Sequence, residues 1–280
     1  QGRRGGLAAN AMAGAARNIG LALGAAGASC AVAYVGTKLL TSPPAPRPCP
    51  SERCRRDTFE GLARKWDETV RCDELVAGIG RWRRRLAQHA SGDVLEVAVG
   101  SGRNFAYYSK AKVRSVTGVD FSRSMLEMAD GKREELAPVP LKLKLASSQK
   151  MDFPDSSFDT VIDTFGICSF EAPVEALREM RRVVKEEGQV LLLEHGASSW
   201  ELVQGLLNRS AQRHVEKFGC YPNRKIASLV EEAGLHIVKA WALAPRSRDR
   251  TSACTLARPT CSSADARHRL RRARRSRLAV

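Results

Sequence analysis

The sequence predicts a doubly wound α/β fold built on a mostly parallel sheet. Three observations carry that prediction. From Asp93 onward, short apolar runs alternate with amphipathic stretches, the pattern of strands joined by crossover helices. The first run, Val94–Val99, leads directly into Gly100-Ser101-Gly102. The second run ends on Asp120, twenty positions after Gly100. A glycine loop followed at that distance by a carboxylate is the arrangement that brings a nucleotide to the carboxyl edge of a sheet.

The chain has 280 residues and opens on Gln1. Residues 1–18 hold Arg3, Arg4 and Arg17 and no acid, and read as a basic targeting leader of mitochondrial type. Ile19–Thr37 has no charged residue and is flanked by Arg17 and Lys38. Its length of about 19 residues is near what a bilayer core requires, so residues 19–40 are expected to form one membrane helix. A cleaved signal or transit peptide is the alternative reading. The Pro-rich stretch Ser42–Pro50 lies within an expected extended linker over 41–54.

From Asp57 the periodicity turns helical. Phe59, Leu62, Trp66 and Val70 recur at helical spacing. Gly78 and Gly80 interrupt it, and Ile79, Trp82 and Leu86 begin a second apolar face. Strands are expected at Val94–Val99, Val113–Val119, Leu141–Leu145, Thr160–Thr164, Gln189–Leu193 and His236–Leu243, with a weak last one at Ser252–Ala257. Helices are expected at Ser124–Glu135, opened by a Ser124/Glu127 capping box, and at Val174–Lys185, stopped by Gly188.

The net charge of +16 is unevenly distributed. Residues 1–51 carry +5, and residues 245–280, with eleven arginines against Asp249 and Asp265, carry +9. That leaves +2 for the middle, so the basicity says nothing about the folded core. The Arg-rich tail over 259–280 reads either as an arm for RNA or anionic lipid or as a solvated, disordered terminus. The eight cysteines contain no C-x-x-C pair, and no clustered histidines accompany them in sequence; no metal site is expected.

The nucleotide can be narrowed by elimination. A dinucleotide fingerprint would place a third glycine at Phe105, and no G-x-x-x-x-G-K-[ST] is present for ATP phosphates. Glu96 through Asn104, with Gly118-Val119-Asp120-Phe121-Ser122, resembles motifs I and II of class I S-adenosylmethionine-dependent methyltransferases, in particular the UbiE-like, type-11 group. Met151–Asp159 is similar to that group's LPFPDxSFD signature. Asp163–Ser169, Leu193-Glu194-His195-Gly196 and Gly219–Arg224 resemble a methyltransferase-like family held in the mitochondrial inner membrane by a single span. The resemblance covers about residues 55–245, and a domain over 55–258 is expected to have the seven-strand-type class I methyltransferase fold.

The resemblance implies S-adenosylmethionine as cofactor; the sequence does not identify the methyl acceptor, and the expected membrane anchor favours a small or lipophilic one. The resemblance also implies that Gly100, Ser101 and Gly102 lie under the methionine part, with Glu96 near its amino group. Asp120 would hold the ribose and Phe121 would flank the adenine, with Ser147, Ser148 and Gln149 along the adenine edge. Ala98 departs from the family's first glycine, and Ser147 replaces an aspartate found in many relatives. His195, after the fifth strand, is the candidate general base for a hydroxyl or thiol acceptor. Asp163 and Phe165 are candidate acceptor contacts. Cys168 reads as a small buried side chain. Two other functions remain open: a cofactor-binding scaffold without turnover, and an RNA or protein methyltransferase docked by the basic tail.

Overall fold

Helix α1, Glu52–Val76, starts where Ser51 accepts a hydrogen bond from the Cys54 amide. A serine in that role satisfies one of the helix's orphan donors. The helix therefore begins inside the stretch expected to be linker. Gly78, at φ +64°, turns the chain into helix α2, Ile79–Ala87. The structure, a computed structural model, describes residues 51–198, 200–241 and 254–259. The leader, the expected membrane helix 19–40 and the Arg-rich tail beyond Pro259 lie outside those residues. Among the described residues, no helix is long and apolar enough to cross a membrane.

Seven strands follow: β1 Gly92–Val97, β2 Val113–Asp120, β3 Leu141–Leu145, β4 Phe158–Thr164, β5 Val184–Leu193, β6 Leu235–Trp241 and β7 Cys254–Pro259. Their order in the sheet is β3-β2-β1-β4-β5-β7-β6, with only β7 antiparallel to its neighbours. Adjacent residues of the central strands serve opposite faces. Val161 and Leu192 pack into one core, and Ile162 and Leu191 into the other. A sheet buried on both faces needs apolar residues at successive positions rather than in alternation, as Val190–Leu193 shows.

The structure departs from the local sequence signals in two places. Helix α3, Arg123–Asp130, is capped by Ser122, whose hydroxyl accepts from the Met125 amide at 3.1 Å. The Ser124/Glu127 box is not used; the Ser124 amide donates instead to Glu60 at 3.0 Å. The helical run breaks after Asp130, and helix α4 is a short turn, Arg133–Leu136. Helix α5, Pro173–Val183, passes straight into β5, so Gly188 is a strand residue rather than a helix stop. A Cβ there would lie 2.8 Å from the Asp159 carbonyl of the neighbouring strand. The glycine serves that close approach. Helices α6, Glu201–Phe218, and α7, Ile226–Glu232, complete the described chain.

At the carboxyl edge, the loops after β1, β2, β4 and β5 face a common space. Helix α1 lies across it and packs on α3.

Candidate functional site

The loop after β1 is held in a conformation that side chains rarely adopt. Ala98, Gly100 and Gly102 all have positive φ, at 50°, 53° and 76°. Ala98 therefore carries the backbone strain that a glycine would avoid. Gly102 is required for a different reason: a Cβ there would sit 2.6 Å from the Phe105 ring. It packs on that buried ring and does not line the cavity. Gly100 does line it, and the nearest atom to a Cβ there is 3.9 Å away.

Asp120 anchors this loop. Its Oδ2 accepts from the Gly100 amide at 2.9 Å and its Oδ1 from the Ser122 amide at 2.9 Å. The carboxylate is only 5% exposed, so it is a buried group at the cavity wall rather than a partly solvated one. Burial raises its pKa to about 6 against those amide hydrogen bonds. Phe121 stands beside it, edge-on to Phe59 of α1 at 5.8 Å.

Other candidate residues are placed differently from expectation. Glu96 is 1% exposed and does not line the cavity. It accepts from Tyr108 Oη at 2.7 Å and Asn104 Nδ2 at 2.8 Å. Burial pushes its pKa up to about 7. Both partners belong to the segment that follows the glycine loop. Of the trio after β3, Ser148 alone lines the cavity. Ser147 Oγ donates to Glu52 Oε2 at 2.8 Å, and Gln149 Nε2 reaches the same oxygen at 3.4 Å. Ser101 lines the cavity and donates to Asp67 at 2.6 Å.

Asp163 is fully buried and does not reach the cavity. Burial, and then the adjacent Glu194 carboxylate, push its pKa well up. Glu194 accepts from the Ile167 and Cys168 amides at 3.0 and 3.3 Å. The pair thus shapes the loop after β4. Phe165 in that loop does line the cavity, at φ +61°, with its ring centroid 5.5 Å from that of His195. His195 also lines it. Its Nε2 is 3.6 Å from the Cys220 sulfur, where the candidate base meets a thiol. Hydrogen bonding to Cys168 first, then to His195 and His214, lowers the Cys220 pKa, while burial pushes Cys168 up.

Sequence reasoning missed the contribution of α1. Glu60 accepts from the Arg123 and Ser124 amides at the start of α3, at 2.7 and 3.0 Å. Asp67 accepts from Ser101, from Arg103 at 2.9 Å and from Lys132. Glu74 pairs with Arg83 at 2.8 Å and with Arg103 at 2.5 Å. Arg55 donates to the Ser169 carbonyl. These carboxylates strap the helix over the cavity. The signal was present: Glu60, Asp67 and Glu74 recur every seven residues, which puts them on one helical face.

The cavity measures about 420 Å³, within the range of small-molecule and cofactor sites, about 300–1,000 Å³. Its wall combines the Asp120 carboxylate and the glycine loop with apolar Phe59, Trp66, Val70 and Phe170. The residues fit a nucleoside carrying an amino-acid tail.

Comparison with known proteins identifies the family. The family described as methyltransferase domain, of type 11, matches residues 95–192. A phosphatidylethanolamine N-methyltransferase of Cereibacter sphaeroides is 32% identical over 58% of this chain and 81% of its own length. The ubiquinone/menaquinone biosynthesis C-methyltransferase UbiE of Bdellovibrio bacteriovorus is 32% identical over 61% and 74%. The mitochondrial methyltransferase OMS1 of Saccharomyces cerevisiae is 29% identical over 66% of this chain, which spans only 43% of that protein. Among solved structures, a Leishmania major S-adenosylmethionine-dependent methyltransferase superposes with a TM-score of 0.53 at 15% identity, covering 73% of this chain and 80% of that one. This last likeness concerns the fold alone. The chain belongs to the UbiE-like, type-11 family of S-adenosylmethionine-dependent methyltransferases.

Proposed function

We propose that this methyltransferase acts on a lipophilic acceptor at a mitochondrial membrane, to which residues 19–40 anchor it. The observation that carries the acceptor class is the apolar part of the cavity wall on the His195 side, at Phe165 and Phe218. One relative is named for phosphatidylethanolamine, another for ubiquinone/menaquinone biosynthesis, and a third is named as mitochondrial.

S-adenosylmethionine supplies an electrophilic methyl group on a sulfonium, and the protein's task is to position, enclose and deprotonate. In this reading Asp120 accepts the ribose hydroxyls on its remaining lone pairs. Gly100 and Ser101 give close backbone approach to the amino-acid tail. Phe121 and Ser148 flank the adenine. Helix α1 excludes water. Phe165 and His195 face the acceptor, and His195 accepts its proton where one must leave.

The test is incubation of the full chain with methyl-labelled cofactor and either total membrane lipid or aqueous metabolites. Label in the organic phase alone supports the acceptor class; label only in the aqueous phase overturns it. Carbonate extraction tests the anchor, since a protein released wholly into the supernatant is not membrane-spanning.

A further inference from the structure

Three side chains from separate segments meet at the acceptor end of the cavity. Cys168 follows β4, His195 follows β5, and Cys220 follows the C-terminus of α6. Their ligand-capable atoms, two thiol sulfurs and an imidazole nitrogen, all lie within 4.8 Å of one another. In a tetrahedral zinc site, Zn–S of about 2.3 Å and Zn–N of about 2.0–2.1 Å put sulfur and nitrogen ligands about 3.5 Å apart. The separation between Cys220 Sγ and His195 Nε2 is 3.6 Å.

The surrounding backbone fixes each of the three. Glu194, next to His195, takes the Cys168 amide at 3.3 Å. The Tyr221 amide donates to the Cys168 carbonyl at 2.9 Å, joining the segments of the two cysteines. Gly219, at φ +70°, ends α6 and turns Cys220 inward. Cys168 is fully buried and Cys220 nearly so. Two cysteines and one histidine form a donor set suited to zinc rather than to magnesium or calcium.

We propose that Cys168, His195 and Cys220 bind one zinc ion, with the fourth coordination position open to the cavity. His195 and Cys220 line that cavity while Cys168 lies behind them, which leaves the free corner of the tetrahedron on the ligand side. His214 stands on the same side, with its ring centroid 5.6 Å from that of His195. Three protein ligands and one open position are the arrangement of zinc sites that bind water or substrate. A zinc-bound His195 Nε2 has no lone pair left for a proton, so His195 is a ligand in the zinc-bound chain and serves as base only in the metal-free one.

The experiment uses the full chain, reduced and freed of metal, titrated with Co²⁺ as a spectroscopic probe and then with Zn²⁺. The expected result is tetrahedral cobalt absorption with thiolate charge-transfer bands, saturating at one equivalent and displaced by Zn²⁺. Cys168→Ser and Cys220→Ser should each weaken binding by more than about tenfold, since even an outer hydrogen-bond partner contributes about 10–100-fold. His195→Cys should retain the cobalt bands, because sulfur replaces nitrogen as ligand. In the unmutated chain, Zn²⁺ should protect Cys168 and Cys220 from alkylation, as mapped by mass spectrometry, which tests the site even where a variant fails to fold. Absence of thiolate bands, bands that persist in the Cys168→Ser/Cys220→Ser double variant, or a Cys168–Cys220 disulfide in the protein isolated from cells would overturn the proposal. Cofactor titration of the metal-free chain is a separate readout, so loss of this site and loss of methyltransferase function are distinguishable.

Discussion

Asp120 Oδ2 accepts the Gly100 amide at 2.9 Å, so the carboxylate at the end of β2 and the glycine loop at the end of β1 are one unit. Parallel pairing of Val97 with Val119 brings the two strand ends level, and the hydrogen bond then sets the loop. A change at Asp120 therefore acts on the loop as well as on any ligand.

Asp120→Ala should weaken S-adenosylmethionine binding by about two to four orders of magnitude, from two lost charge-assisted hydrogen bonds of about 1.5–3 kcal/mol each at 1.4 kcal/mol per tenfold. It should also lower stability by about 2–4 kcal/mol, because the Gly100 and Ser122 amides lose their acceptor. Calorimetric titration and thermal melts read the two effects separately. Unchanged cofactor affinity in the folded variant would remove Asp120 from the ribose site.

Asp163→Asn should be tolerated, whereas Asp163→Ala should not. Burial and the Glu194 carboxylate favour the neutral form of Asp163, which an amide mimics, and the loop bearing Phe165 and Cys168 keeps its shape. Alanine leaves Glu194 beside a cavity in a fully buried place, where removing one member of a hydrogen-bonded polar pair costs about 1–3 kcal/mol. Turnover and melting temperature of the two variants check this; equal behaviour would show that the pair does not shape the loop.

Glu96→Gln should flatten the pH dependence of stability. Burial raises the Glu96 pKa from 4.5 to about 7 in the folded protein. The folded state then binds the proton more tightly than the unfolded state. Stability from this group is fully present below about pH 4.5 and is lost as pH rises through about 7, a change on the order of 3 kcal/mol. Glutamine has no proton to lose. Denaturant unfolding at pH 5 and pH 8 should show a smaller difference in the variant than in the parent.

Asp67→Asn should loosen α1 over the cavity. Asp67 holds Ser101, Arg103 and Lys132, and these hydrogen bonds keep its pKa at about 2 despite burial. The side chain is 31% exposed, so the loss is screened to about 1 kcal/mol, or about fivefold in cofactor affinity. Amide hydrogen exchange should quicken in α1 and not in β1 or β4. Faster exchange throughout the sheet would indicate general destabilisation instead.

The sequence alone determined the sheet and the meeting of the Gly100 loop with Asp120 at its carboxyl edge. Short apolar runs such as Val190–Leu193, rich in β-branched and aliphatic residues, read as strands buried on both faces, and Gly100 follows the first strand while Asp120 ends the second. Those signals are local, carried by spacing and side-chain type. The tertiary structure decided the rest, because it rests on contacts between distant segments. Glu96 faces inward to Tyr108 and Asn104 rather than toward a ligand. Asp163 belongs with Glu194 and not with the cavity. Cys168, His195 and Cys220 stand 27 and 25 positions apart in the chain, a spacing that carries no metal signature. Only the parallel pairing of β4 with β5, and the return of α6 to the same sheet edge, bring their sulfur and nitrogen atoms within reach of a single ion.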